Sequence, residues 1–222
     1  MTTRSGLRDI IREVLADVTQ WPDATLNIWI NQAIRDYSLY FPYHQSATVL
    51  VESGKAYQTL GATYCPGIID ILKIEFPVGN DPPTLLQRLS RNSPSFPHNN
   101  YYDTIGDPPT MLYIGPTPAI NTNALIAYTV LHTIPTADNS VLTVPDIHLE
   151  ALAMFCKWKA IEESEMEEML NPDTTEFILT QIGLNAIRAE RIYISKLREY
   201  RAASVGERSS PGWQMDKWDR TY

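Results

Sequence analysis

Leu7, Ile10, Ile11, Val14, Leu15 and Val18 recur at spacings of three, one, three, one and three, the apolar stripe of an amphipathic helix over residues 5 to 18. After Trp21-Pro22, Asp23 stands as an N-cap. Leu26, Trp29, Ile30, Ala33, Ile34, Tyr37 and Phe41 then repeat the pattern until Pro42 stops it. Neither stripe can be left in water, so these two helices, joined by a short Thr-Gln-Trp-Pro turn, are expected to pack as an antiparallel hairpin.

From residue 43 the helical period disappears. Ala47 to Val51, Ala56 to Leu60, Ile68 to Phe76, Met111 to Ile114 and Ala124 to Leu131 are short runs rich in strand formers. Ser53-Gly54 supplies a hairpin turn and Asn80-Asp81-Pro82-Pro83 a loop, which predicts a small, mostly antiparallel sheet. Ser90 to Pro109 carries several prolines and asparagines with Phe96, Tyr101 and Tyr102 at its expected tip. It reads as a long loop, of the kind that is usually functional or disordered.

Helix resumes at Pro145-Asp146 and runs through Leu149, Leu152, Ala153, Cys156 and Ala160 into a glutamate-rich end. Asn171-Pro172 breaks it, and Asp173 or Thr174 caps a last long helix with Phe177, Ile178, Ile182, Ala189, Ile192 and Tyr200. Gly183 within it costs about 1 kcal/mol relative to alanine and permits a close helix approach or a bend. The pattern predicts an α+β fold, a mainly helical body of four helices in two antiparallel hairpins. Its parts are a helical hairpin (1–42), a β-rich insertion (43–144) with the loop 90–109, a second helical pair (145–203) and an extended tail (204–222).

Composition narrows the function. An apolar fraction of 44% with 20% charged residues fits a folded globular chain. No apolar run approaches the roughly 18 residues of a membrane span, and the polar start lacks a signal-like segment, so synthesis and retention in the cytosol without membrane association are expected. The net charge of −8 disfavours tight phosphate binding, hence sequence-specific DNA recognition. Cys65 and Cys156 stand alone and read as buried apolar residues.

Two local patterns carry a resemblance. Leu26-Asn27-Ile28-Trp29-Ile30-Asn31-Gln32-Ala33 looks like the Trp-bearing helix of the head-to-tail connector (adaptor) proteins of tailed bacteriophages. Val144-Pro145-Asp146-Ile147-His148-Leu149-Glu150-Ala151-Leu152 looks like the helix start with Pro and His in the same family. The order of elements over residues 5 to 202 resembles that family too. The resemblance implies a structural virion protein of the neck: a dodecameric ring docked under the portal protein, genomic DNA passing through its centre, and a downstream tail or nozzle protein below. An acidic channel that lets DNA slide suits this role.

Trp213, Met215, Trp218 and Tyr222, crowded after a Ser-Pro-Gly linker, have no periodicity with which to join the core and are the expected portal anchors. The bland alternative is folding back on their own subunit. Phe96, Tyr101 and Tyr102 are expected to contact the next tail component. Glu162, Glu163, Glu165, Glu167 and Glu168 read as a solvated or channel-facing acidic surface. A pyrophosphohydrolase-like Mg²⁺ site would need a later Glu-x-x-Asp, which the chain lacks. His44, His98, His132 and His148 lie on different elements without the spacing that puts two on one helical face. No catalytic, cofactor or metal residue is assigned, and a non-enzymatic role is expected. The alternatives are a different virion component, a tail terminator or fibre adaptor, and a metal-dependent nucleotide hydrolase working through the glutamates.

Overall fold

The computed structural model describes residues 1–16, 21–60, 64–89, 100–115, 117–171 and 175–208, the last with side chains to 203. It has two compact units, one comprising Met1–Tyr40 with the chain from Thr133 onward, the other Phe41–His132.

The first unit is helical: α1 (Arg4–Leu15), α2 (Asp23–Tyr40), α3 (Leu149–Met169, entered through a 3-10 turn at Asp146–His148) and α4 (Glu176–Arg208). Thr3 caps α1, its hydroxyl accepting from the Gly6 N–H. The helix stops at Leu15, short of the expected residue 18. Ala16 there adopts the left-handed conformation (φ 56°) and donates its N–H to the Glu13 carbonyl. Asp23 is the first residue of α2, one position inside the expected cap.

Helix α3 is the axis of this unit. Leu149, Ala151, Leu152, Ala153, Phe155 and Cys156 are all buried, so its first half is apolar around most of its circumference and must be enclosed on several sides. Leu7 and Ile11 of α1, Leu26, Trp29, Ile30, Ala33, Ile34 and Tyr37 of α2, and Ala186, Ala189, Tyr193 and Leu197 of α4 supply the rest of the core. The contacts Phe155–Tyr193, Glu150–Lys196 and His148–Tyr200 show α3 and α4 running antiparallel. Helices α1 and α2 each pack more extensively on α3 than on one another, so α3, which pairs antiparallel with α4, is shared by three neighbours.

The second unit is a seven-stranded sheet: β1 (Tyr43–Val51), β2 (Tyr57–Thr59), β3 (Ile68–Glu75), β4 (Leu85–Arg88), β5 (Tyr101–Ile105), β6 (Met111–Gly115) and β7 (Thr122–Val130). Its strand order is β1-β7-β3-β4-β5-β6-β2, antiparallel throughout except for the parallel pair β4–β5. Strands β1 and β2 lie at opposite edges yet are joined by the short stretch 52–56. A flat sheet of this width would hold its edges about 29 Å apart, whereas the link spans at most about 21 Å. The sheet therefore curls. The curl encloses Val49, Val51, Leu112, Ile114, Ile126 and Tyr128, which alternate along their strands, together with Leu60 and Ile74. Gly106 turns the β5–β6 hairpin at φ 95°, where an added Cβ would meet the Thr110 hydroxyl at 2.8 Å.

Strands β4 and β5 have no counterpart among the predicted runs. The region 90–109, expected as one loop, holds β5, and Tyr102 is a core residue at 4% exposure. Leu152→Ala, which empties a fully buried site on α3, is expected to lower unfolding free energy by about 2–5 kcal/mol. Leu39→Ala on the exposed side of α2 should change it by less than about 0.5 kcal/mol. Denaturant titration of the two variants tests this difference.

Candidate functional site

The chain's start is woven into its helical unit. Thr3 pairs with Val141 as a β-bridge, the Leu142 N–H donates to the Thr2 carbonyl at 3.0 Å, and Arg4 and Ser5 donate their N–H groups to the Ser140 and Asp138 carbonyls. Asp146 receives the Met1 amino group at 3.0 Å and both the N–H and hydroxyl of Thr2 at 2.9 Å. Arg4, Arg8 and Arg12, four apart, form a ladder on one face of α1. The Arg8 guanidinium is buried between Asp23 and Asp138, at 2.9 and 2.8 Å; Arg4 also grips Asp138, and Arg12 grips Asp23. Hydrogen bonds from Arg4 and Arg8 hold the Asp138 carboxyl below its ordinary value.

A second cluster joins three elements. Tyr37 on α2 hydrogen-bonds Nδ1 of His148, whose ring stacks on Tyr200 of α4 with centroids 4.2 Å apart. Nearby the Tyr193 hydroxyl donates to Asp36, and its ring meets Phe155 edge-on. Burial pushes the His148 imidazole below its usual range and the Tyr37 hydroxyl well above its own. The histidine that carried the family resemblance thus holds α2, the start of α3 and α4 together. Sequence reasoning left this cluster and the arginine ladder unassigned; the four-residue spacing of the arginines was the one signal available.

The predicted site residues fall in three places. Trp213, Met215, Trp218, Tyr222 and Phe96 lie outside the described residues. Tyr101 is half-buried in β5, and Tyr102 points into the sheet core, so burial excludes Tyr102 from the tip of a loop. The glutamates all lie on the second half of α3. Glu162 pairs with Lys159 at 2.6 Å, Glu167 is exposed, and Glu163, Glu165 and Glu168 are half-buried. Glu165 packs over Gly183, where a Cβ would sit 3.1 Å from its Oε1. No group of three or more His, Cys, Asp or Glu among the described residues has metal-binding geometry.

Both cysteines are free and buried, and burial pushes the Cys65 thiol up to about 11, a range in which the thiolate is scarce. His132 is buried against the Phe41 carbonyl, and His44 is exposed in β1. No described helix is long and apolar enough to cross a membrane. Along α3, a groove of about 690 Å³ is floored by Met154, Lys157 and Ile161 and walled by Leu15, Ile182 and Ile192.

Two acid-dependent steps in stability follow. The lowered His148 value means that the unfolded chain takes up a proton first. Stability is complete above about 6.5 and falls as pH drops through that value toward the folded one. The lowered Asp138 and Asp146 values act in the same direction further down: their contribution is present above about 3.8 and lost below it. Denaturation midpoints measured against pH should show both steps. His148→Gln removes the upper step and Asp138→Asn diminishes the lower one.

The family model described as "SU10 adaptor protein" matches residues 2–207, nearly the whole of both units. No curated protein matches the chain.

Proposed function

Since the chain belongs to the SU10 adaptor protein family, a family of phage adaptors, we propose that it is a non-enzymatic subunit of a dodecameric ring in the virion neck, seated on the portal protein. In this reading genomic DNA passes through the centre without sequence-specific binding, and a tail or nozzle protein attaches below. The observation that carries it is the family match across residues 2–207. A helical body whose start is stapled to it by hydrogen bonds and ion pairs supports it, because a ring subunit must hold its shape while neighbours bear on it.

Portal docking is assigned to Trp213, Met215, Trp218 and Tyr222, which follow the last helix as large apolar side chains in a polar stretch. Burying one tryptophan removes roughly 150–250 Å² from water, a ceiling of about 4–6 kcal/mol before ordering costs. Each tail is then a modest binder, and many copies engaged at once give avidity. Phe96 and Tyr101 are the proposed contacts to the next tail component, with Tyr102 supporting them from the core. The glutamates at 162, 163, 165, 167 and 168 give the second half of α3 an acidic character suited to a DNA channel wall.

Truncation after Ala203 is expected to abolish co-sedimentation with portal rings while leaving the far-UV helical signal close to that of the full chain. A truncated protein that still binds the portal overturns the tail assignment. Deletion of 93–100 should leave portal binding intact and block attachment of the next tail component. Normal tail joining by this variant contradicts the proposed role of the loop.

A further inference from the structure

The outer side of α4 is exposed, with Arg188 at the rim of the groove that Leu15 of α1 also lines. Leu184 and Ile187 there are 55% and 47% exposed, and Arg188, Arg191 and Arg198 extend the same side toward the helix end. None of these three arginines has an ion pair among the described residues, although Lys196 on the flank is engaged by Glu150 and Glu199. Apolar residues interleaved with unpaired arginines are the composition of protein interfaces, where Arg is enriched.

The outer side of α1 has the opposite character. Its buried face is Leu7, Arg8 and Ile11, and Asp9 and Glu13, four apart, are exposed on the other. Asp9 approaches Arg12 only at 3.9 Å, and Glu13 has no side-chain ion pair among the described residues.

The levels of these faces along the bundle match. Met1 and Thr2 bind Asp146, two positions before His148, which stacks on Tyr200. At its other end α1 delivers Leu15 to the groove shared with Lys157, Arg188 and Ile192. Residues 1 to 15 therefore span the same level as the stretch of α4 from Tyr200 back to Arg188, which puts Asp9 and Glu13 level with Arg191 and Arg188, while Arg198 lies about 9 Å further along. In a ring whose axis runs along the helices, rotation changes no heights, so faces at equal level meet.

Resting on the ring reading, with the ring axis along these helices, we infer that neighbouring copies join by laying the outer face of α4, through Arg188 and Arg191, against Asp9 and Glu13 on α1 of the next copy. The contact is head-to-tail: each copy offers both faces, and the chain of contacts closes into a ring. Duplex DNA is the less favoured occupant of the arginine face. Leu184 and Ile187 beside it offer nothing to phosphates, and the chain as a whole carries −8.

The test is a charge exchange in the full-length protein. One variant carries Arg188→Glu with Arg191→Glu, the other Asp9→Lys with Glu13→Lys; all four positions are exposed. Unchanged far-UV spectra and denaturation midpoints establish folding. With portal rings present, sedimentation should show wild type assembling and each variant alone assembling at least about tenfold less well, because like charges now face each other. Mixing the two variants should restore assembly, since both contacts of an alternating ring again pair opposite charges.

Normal assembly by either variant alone, or no recovery on mixing, overturns the inference while leaving the ring reading standing. Failure of wild type to form any ring overturns both. A glutamate variant that assembles normally but loses retention on duplex DNA overturns the inference and assigns the face to DNA.

Discussion

The helical unit is governed by the demand of one helix to be enclosed. Within eight residues α3 buries Leu149, Ala151, Leu152, Ala153, Phe155 and Cys156. No single partner covers a helix that is apolar around most of its circumference. Three helices gather on it, and the polar details follow from holding them there. Arg8 is buried because α1 must lie close, and a buried guanidinium requires carboxylates, which Asp23 and Asp138 provide. His148 stands where α3 begins, within reach of Tyr37 and Tyr200, and ties the other two helices at the same level.

Periodicity made the helices legible. The stripes through Leu26, Trp29, Ile30 and Tyr37, and through Leu152 and Cys156, recur at helical spacing, and those residues are buried. What periodicity cannot say is which stripe faces which: chain proximity pairs α1 with α2, and both pack more extensively on α3. The end of α1 was also beyond reach, because Ala16 carries no sign of the left-handed conformation it adopts. Strand β4 is only four residues long, and β5 follows a stretch rich in proline and asparagine. Their parallel pairing joins Gln87 to Tyr101, a long-range contact that local pattern does not encode. Tyr102 lies beyond local pattern for the same reason: its burial depends on a sheet that curls.

The candidate site was legible mainly as composition. The His148 segment was singled out by resemblance, but its bonding role depends on Tyr37, 111 positions away in sequence. Asp138 lies in a loop with nothing to distinguish it from other surface aspartates until Arg4 and Arg8 converge on it. Membership in the phage adaptor family gives these features a common purpose. An adaptor needs a body that keeps its form and faces that accept neighbours, and here the described ion pairs and aromatic stacks serve the first need.

The central claim is that this chain works as one of many copies gathered on a portal. Measurement of the mass of the purified protein with and without portal rings, by native mass spectrometry or sedimentation, addresses it most directly. The expected result is a discrete complex whose added mass is a multiple of 25.2 kDa matching a closed ring. A chain that remains monomeric and unbound in the presence of its portal contradicts it.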